Sequence, residues 1–132
     1  MYLGYLSAVM HYIHSIVLQS HLDIPHGVAN ALLLPTIMEF NAPAALDKYV
    51  DIAKAMNVYK DGMTKEEAAA AACDAVRQLS IRVGIPQHLT EIGIKEEDLP
   101  KLAKSAFADV CTPGNPREVT EEIILDLYKK VL

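Results

Sequence analysis

The chain has 132 residues, of which 52% are hydrophobic and 22% are charged. This composition excludes a disordered chain, and the length suits one domain with its own core. The formal net charge of −5 argues against a nucleic-acid partner, because phosphate binding requires clustered Lys and Arg.

Residues 1–22 contain no Lys, Arg, Asp or Glu. Ser, His and Gln side chains interrupt this stretch, whereas a membrane-spanning helix needs about 20 mostly apolar residues. The stretch also lacks the basic start and the cleavage site of a signal peptide. Cys73 and Cys111 form no CxxC pair, which favours reduced thiols. We therefore predict a cytoplasmic protein without a membrane partner.

The first half of the chain shows helical periodicity and no sustained alternation. One helix is predicted over about 5–19 and a second over about 27–40. The second is apolar nearly all round, which is typical of a core helix, and Pro35 predicts a kink or a break in it. Asn41 is predicted to cap a third helix that has Pro43 in its first turn. The inward stripe of this third helix is Leu46, Tyr49, Val50 and Ala53.

In the second half, Thr64 to Glu67 has the pattern of a capping box before a helix that ends near Gly84. Asp98 and Thr120 are predicted to cap the last two helices. The predicted inward stripes are Ala72, Val76, Leu79 and Val83; Leu99, Leu102, Ala103, Ala106, Phe107 and Val110; and Ile123, Ile124, Leu127, Tyr128 and Val131. The sequence thus predicts an all-α fold, an array of about six helices forming a single domain over residues 1–132.

Four of the five histidines fall within sixteen residues, namely His11, His14, His21 and His26. Imidazole is a common ligand of iron and zinc, and a short turn between two helices could bring His14 and His26 together. A lone histidine near a helix start is more often a cap or a core group than a ligand, and two His ligands alone leave a divalent metal under-coordinated. The sequence contains no nucleophile elbow, Walker loop or GxGxxG, so no catalytic residue is predicted.

Residues 23–35 read DIPHGVANALLLP, and Met38-Glu39-Phe40-Asn41 follows closely. This string resembles the Pro-His-Gly signature of the iron-containing (group III) alcohol dehydrogenases, especially the branch with lactaldehyde reductases and 1,3-propanediol dehydrogenases. Further similar blocks follow in the family's order. They are Lys48-Tyr49 to Met56, Val83-Gly84-Ile85-Pro86, Glu97-Asp98-Leu99-Pro100 and Asn115-Pro116-Arg117.

The resemblance implies a helical C-terminal domain that works beside a nucleotide-binding α/β domain. It implies Fe²⁺, or Zn²⁺, held by one Asp and three His, with NAD(P) as the hydride carrier and a small alcohol or aldehyde as substrate. His26 takes the ligand role of the Pro-His-Gly signature, and His14 takes the role of a second ligand. The NAD(P)-contacting residues stay unassigned.

The sequence also departs from the family pattern. The Asp ligand, the third His ligand and the nucleotide-binding domain are expected upstream of Met1. Leu18 stands where the family has a histidine near the nicotinamide, and a loss of two residues changes the phase between His14 and His26.

Three hypotheses follow for the function. The chain is the C-terminal domain of a dehydrogenase, with half a metal site and inactive alone. Alternatively, it is a stand-alone helical binding or oligomerisation module, for example a homodimer. The third alternative is one half of a split enzyme that is completed by a separate nucleotide-binding partner.

Overall fold

The computed structural model describes residues 26–108 and 114–132, so the predicted helix over 5–19 lies outside the described residues. The described ranges contain five α-helices and no strand, which confirms the all-α fold. Within these ranges, short 3-10 turns lie between the helices at Ala42–Ala44, Leu89–Ile92 and Glu96–Asp98. The helices are α1 (His26–Asn41), α2 (Leu46–Ala55), α3 (Lys65–Arg82), α4 (Leu99–Ala108) and α5 (Glu121–Lys130).

Helix α1 lies at the centre, packed between the pair α2–α3 and the pair α4–α5. Leu33 and Ile37 belong to a core cluster shared with α4 and α5. Met38 belongs to a second cluster shared with α2 and α3, and Leu34 packs against both clusters. A helix that is covered on two sides needs apolar residues around most of its circumference, as the sequence predicts.

Helix α1 continues through Pro35 without a break. Of the predicted kink or break at Pro35, the break is therefore wrong, and the kink stays a prediction. Proline removes one backbone hydrogen bond from a helix interior, at a cost of about 3 kcal/mol. Pro35 is fully buried, and the packing of α1 against both clusters offsets that cost.

The predicted helix cap at Asn41 is also wrong. Asn41 is the last residue of α1 and its side chain caps nothing; the turn Ala42–Ala44 contains Pro43, and α2 starts only at Leu46. The inward stripe of α2 is confirmed, since Tyr49 is buried and its hydroxyl donates a 2.7 Å hydrogen bond to the carbonyl of Met38. The other three members of the stripe are buried or partly buried.

Helix α3 begins and ends as predicted. The Thr64 hydroxyl accepts a 3.1 Å hydrogen bond from the backbone N–H of Glu67, which is the threonine half of the capping box. The helix ends at Arg82, and Gly84 follows with a φ of +81°, a conformation that glycine adopts at little cost.

The predicted inward stripe of α3 is only half correct. Ala72 is buried and Val76 is partly buried, but Leu79 is 43% exposed and Val83 is 64% exposed. The reason is length, because α3 has 18 residues and its neighbour α2 has 10. At 1.5 Å per residue, α3 is about 12 Å longer than α2, so its C-terminal turns pass beyond the cover that α2 provides.

In α4, the predicted residues Leu99, Leu102, Ala103 and Ala106 are buried. Phe107 was predicted on the same face but is 46% exposed, since at 100° per residue it lies about 80° from Leu99, at the edge of the stripe. Val110 lies outside the described residues. Asp98 does not cap α4; its carboxylate accepts a 3.0 Å hydrogen bond from the backbone N–H of Lys95 and closes the preceding 3-10 turn.

The Thr120 hydroxyl caps α5 as predicted, accepting a 3.2 Å bond from the backbone N–H of Ile123. The predicted face of α5 is buried or partly buried throughout. The backbone N–H of Leu89 donates a 2.7 Å hydrogen bond to the carbonyl of Val131, so the 3-10 turn Leu89–Ile92 holds the residues that follow α5. None of the helices within the two described ranges is long and apolar enough to span a membrane.

Candidate functional site

The predicted metal ligand His26 is the first residue of α1. The apolar run that begins at Val28 determines where α1 lies, because the residues of this run are buried between the two core clusters. His14, the second predicted ligand, lies outside the described residues together with His11 and His21. The convergence of His14 and His26 therefore stays a prediction.

Asn30 lies one helical turn after His26 and is only 4% exposed. Its side-chain oxygen is buried and has no hydrogen-bond partner within the part of the chain that the structure describes. A buried polar group left unpaired costs about 1–3 kcal/mol, so such atoms in folded proteins nearly always have a partner. An ordered water or another polar group outside the described residues would be the expected partner of this oxygen.

Over residues 26–108 and 114–132, no three or more His, Cys, Asp or Glu side chains come together in a way that could hold a metal ion. The fifth histidine, His88, is exposed and starts the 3-10 turn, where its backbone N–H donates a 2.8 Å bond to the carboxylate of Glu91. The ligand role of His26 therefore stays a prediction, to which this part of the chain adds no cluster of further ligands.

An open groove of about 470 Å³ lies between the C-terminal end of α1 and α3. Most of its lining is apolar, from Ala42, Pro43, Leu46, Ala69 and Ala70. The side chains of Glu39, Glu66 and Cys73 complete the lining. Burial raises the pKa of the Cys73 thiol to about 11, and the negative charge of Glu39 adds to this while Arg77 opposes it. The thiol is therefore protonated at neutral pH, and this groove supplies no thiolate nucleophile.

The Asn115-Pro116-Arg117 block joins the C-terminal part of the chain to the end of α1. The Arg117 guanidinium donates a 2.9 Å hydrogen bond to the carbonyl of Phe40 and stands 4.3 Å from the centre of the Phe40 ring. This contact satisfies a carbonyl that the helix end leaves free. The block thus stabilises the end of α1 opposite to His26.

Asn30 is the residue of this region that sequence reasoning missed. The signal was present in the sequence, since Asn30 is the only polar side chain between Val28 and Leu34 and stands four residues after His26. A polar residue in an apolar run is compatible with a core helix, and only the structure shows that its oxygen is buried without a partner.

A model of the Fe-containing alcohol dehydrogenase family, C-terminal part, matches residues 1–132. The lactaldehyde reductase of Escherichia coli K12 is 54% identical over 106 residues, which cover 80% of this chain and 28% of that protein. The 1,3-propanediol dehydrogenase of Citrobacter freundii is 39% identical over 128 residues, which cover 97% of this chain and 32% of that protein.

Among solved structures, a 1,3-propanediol oxidoreductase superimposes with a TM-score of 0.87 at 38% identity. The match covers 95% of this chain and 32% of that one. The helical array described above is thus the fold of the corresponding part of that enzyme. The chain spans about a third or less of the length of the relatives that it matches.

Proposed function

The chain belongs to the Fe-containing alcohol dehydrogenase family, and from that membership we propose that it serves as the helical, metal-binding part of an NAD(P)-dependent alcohol or aldehyde oxidoreductase. The observation that supports this most is the family match over residues 1–132, together with a fold that superimposes at a TM-score of 0.87 on a 1,3-propanediol oxidoreductase.

In this proposal, His26 and His14 hold Fe²⁺ or Zn²⁺. The stable part of that site is α1, whose burial fixes the position of its first residue. Two imidazoles do not complete a coordination sphere, so the site requires further ligands besides His14 and His26. When bound, such a metal supplies polarisation of the substrate oxygen, and the nicotinamide cofactor supplies the hydride chemistry.

The 132 residues contain no GxGxxG or comparable phosphate-binding loop. The proposal therefore requires a nucleotide-binding domain that acts together with this one, either in the same polypeptide or as a separate partner. The names of the relatives, a lactaldehyde reductase and a 1,3-propanediol dehydrogenase, support small hydroxylated alcohols or aldehydes as the substrate class. No feature of residues 26–108 and 114–132 favours a stand-alone binding module over this proposal.

The test is a Zn²⁺ titration of the 132-residue chain, in which the ring ¹⁵N signals of the histidines report binding. We expect weak binding that shifts His14 and His26, that His26→Ala abolishes, and that His88→Ala leaves unchanged. Equal binding by the chain and by His26→Ala would overturn the metal role of His26.

A second measurement addresses the need for a nucleotide-binding domain. We expect no oxidation of 1,2- or 1,3-propanediol by the chain alone with Fe²⁺ and NAD⁺, monitored as NADH absorbance. Turnover that is lost in His26→Ala would contradict this requirement, because it would show that these residues bind the cofactor by themselves.

A further inference from the structure

The outer side of α4 carries an exposed aromatic ring next to two positive charges. Phe107 is 46% exposed, although the four predicted stripe residues before it are buried. Lys104 lies one helical turn before Phe107 and Lys101 one turn before Lys104, and both lysines are exposed. The ten residues of α4 include no Asp or Glu. We call this surface, formed by Lys101, Lys104 and Phe107, the basic face of α4.

The groove between the C-terminal end of α1 and α3 has the opposite charge. Its volume of about 470 Å³ is within the range of pockets that enclose whole ligand groups, so it has room for an aromatic ring. The described residues that line it include two exposed carboxylates, those of Glu39 and Glu66, and no Lys or Arg. Such a groove is complementary to an apolar side chain that stands next to a positive charge.

Glu66 is the carboxylate of the groove that is available for a new contact. Glu39 already forms a 2.6 Å ion pair with Arg77. Glu66 forms no ion pair with any described residue, and the same holds for Lys104. Each of the two surfaces therefore presents one charge that the described part of the fold leaves without an oppositely charged neighbour.

The groove and the basic face belong to different halves of the fold. The groove lies on the side of α1 that packs against α2 and α3, whereas α4 belongs to the pair α4–α5 on the other side. Because α1 lies between the two pairs, one copy cannot place its own α4 in its own groove. A second copy has no such restriction.

We infer that the groove is a docking site for the basic face of α4 from a second copy of this chain. Phe107 enters the groove, and Lys104 lies beside Glu66. One exposed ion pair adds little affinity, so burial of the ring supplies most of it and the charges select the orientation. The two surfaces differ, so the contact is head-to-tail and repeats from copy to copy, as a closed ring or an open chain. This inference goes beyond the proposed function and does not rest on it.

The first test is sedimentation velocity of the metal-free 132-residue chain from micromolar to millimolar concentration. We expect species larger than a monomer to grow with concentration. Phe107→Ser and Ala70→Arg, which places a bulky cation in the groove, should each weaken the association about 10-fold or more. Leu79→Ser is the matched control, because Leu79 is 43% exposed but does not line the groove, and it should leave the association unchanged. Far-UV circular dichroism checks that each variant keeps its helical content.

A second test uses charge reversal to identify the two surfaces as partners. Glu66→Lys and Lys104→Glu, each alone, should weaken association because like charges then meet at the contact. An equimolar mixture of the two variants should associate again, since every contact between unlike copies joins opposite charges. Association through any other pair of surfaces would not be regained in this way.

A chain that stays monomeric at millimolar concentration would overturn the inference and leave the groove to another partner, such as a nucleotide-binding domain. Association that Phe107→Ser and Ala70→Arg leave unchanged would overturn it as well, because the contact would then involve other surfaces. Should a charge-reversal variant not fold, the comparison of Phe107→Ser with Leu79→Ser decides. None of these outcomes depends on metal binding by His26, so the proposed function is tested separately.

Discussion

The side-chain amides of Asn41 and Asn115 pair with each other through two reciprocal hydrogen bonds of 2.9 Å, across 74 positions of sequence. Asn41 is completely buried at the end of α1. Each amide donates one N–H to the carbonyl oxygen of the other, so a donor and an acceptor are paired on both side chains. The pair fastens the loop that leads to α5 onto the central helix.

Removing one half of this pair leaves the buried Asn41 amide without its partner. We expect Asn115→Ala to lower the free energy of unfolding by about 1–3 kcal/mol, measured by urea denaturation at pH 7. Asn115→Asp should also destabilise, because a carboxylate cannot donate to the Asn41 oxygen. Glu118→Ala, an exposed change nearby, should stay within about 0.5 kcal/mol of the parent. A loss no larger than that of this control would show that the amide pair does not hold the loop.

Leu33 and Leu79 distinguish the buried core from the exposed end of α3. Leu33 is 1% exposed in the cluster with α4 and α5, whereas Leu79 is 43% exposed. Leu33→Ala should cost about 2–5 kcal/mol, since it leaves a cavity. Leu79→Ala should cost much less, because part of that side chain is already in water. Equal costs in thermal or urea unfolding would mean that the C-terminal turns of α3 are covered after all.

The Cys73 thiol should be unreactive in the folded protein. Its pKa is raised to about 11 and its side chain is buried, so both the thiolate fraction and access to reagents are low. Iodoacetamide at pH 8, followed by peptide mass spectrometry, should leave the Cys73 peptide unmodified until guanidinium is added. Rapid labelling of Cys73 in the native chain would contradict the burial of α3 against α1 and α2.

The same pKa shift makes stability depend on pH. The ordinary thiol pKa of 9.0 applies to the unfolded chain and the value of about 11 to the folded one, so the unfolded state loses its proton first. The contribution of Cys73 is therefore complete below pH 9 and declines as the pH rises toward 11. The difference in unfolding free energy between the parent and Cys73→Ala should shrink from pH 8 to pH 10.5; a constant difference would refute the raised pKa.

The caps of α3 and α5 depend on single hydroxyl groups. Thr120→Ala should lower the free energy of unfolding by about 1 kcal/mol, because the N–H of Ile123 loses its acceptor. Thr120→Ser retains the oxygen and serves as the control, with a much smaller loss expected. Indistinguishable melting temperatures for the Ala and Ser variants would show that the cap contributes nothing.

The sequence by itself determined the helices and several of their ends. Thr64, Thr120 and Gly84 act within three or four residues of their own position, so local chemistry is enough to identify them. The inward stripes of α2 and α5, and most of that of α4, were equally readable because apolar spacing reports one face of a helix. The Pro-His-Gly block pointed to the family before any fold was known.

Only the tertiary structure decided where those faces are covered. Leu79, Val83 and Phe107 continue or border apolar stripes, yet their exposure depends on how far the neighbouring helices reach, which periodicity does not contain. The continuation of α1 through Pro35 also depends on tertiary packing, because burial on two sides of the helix outweighs the local cost of the proline.

The polar partners of the central helix were likewise invisible in the sequence. Asn41 looks like a cap locally, but it bonds to a residue 74 positions away. Asn30 stands out in the sequence as a polar residue in an apolar run, but its burial with an unpaired oxygen is visible only in the fold. Local rules describe a residue's own turn of helix, whereas long-range hydrogen bonds and burial depend on which other segments the folded chain brings against it.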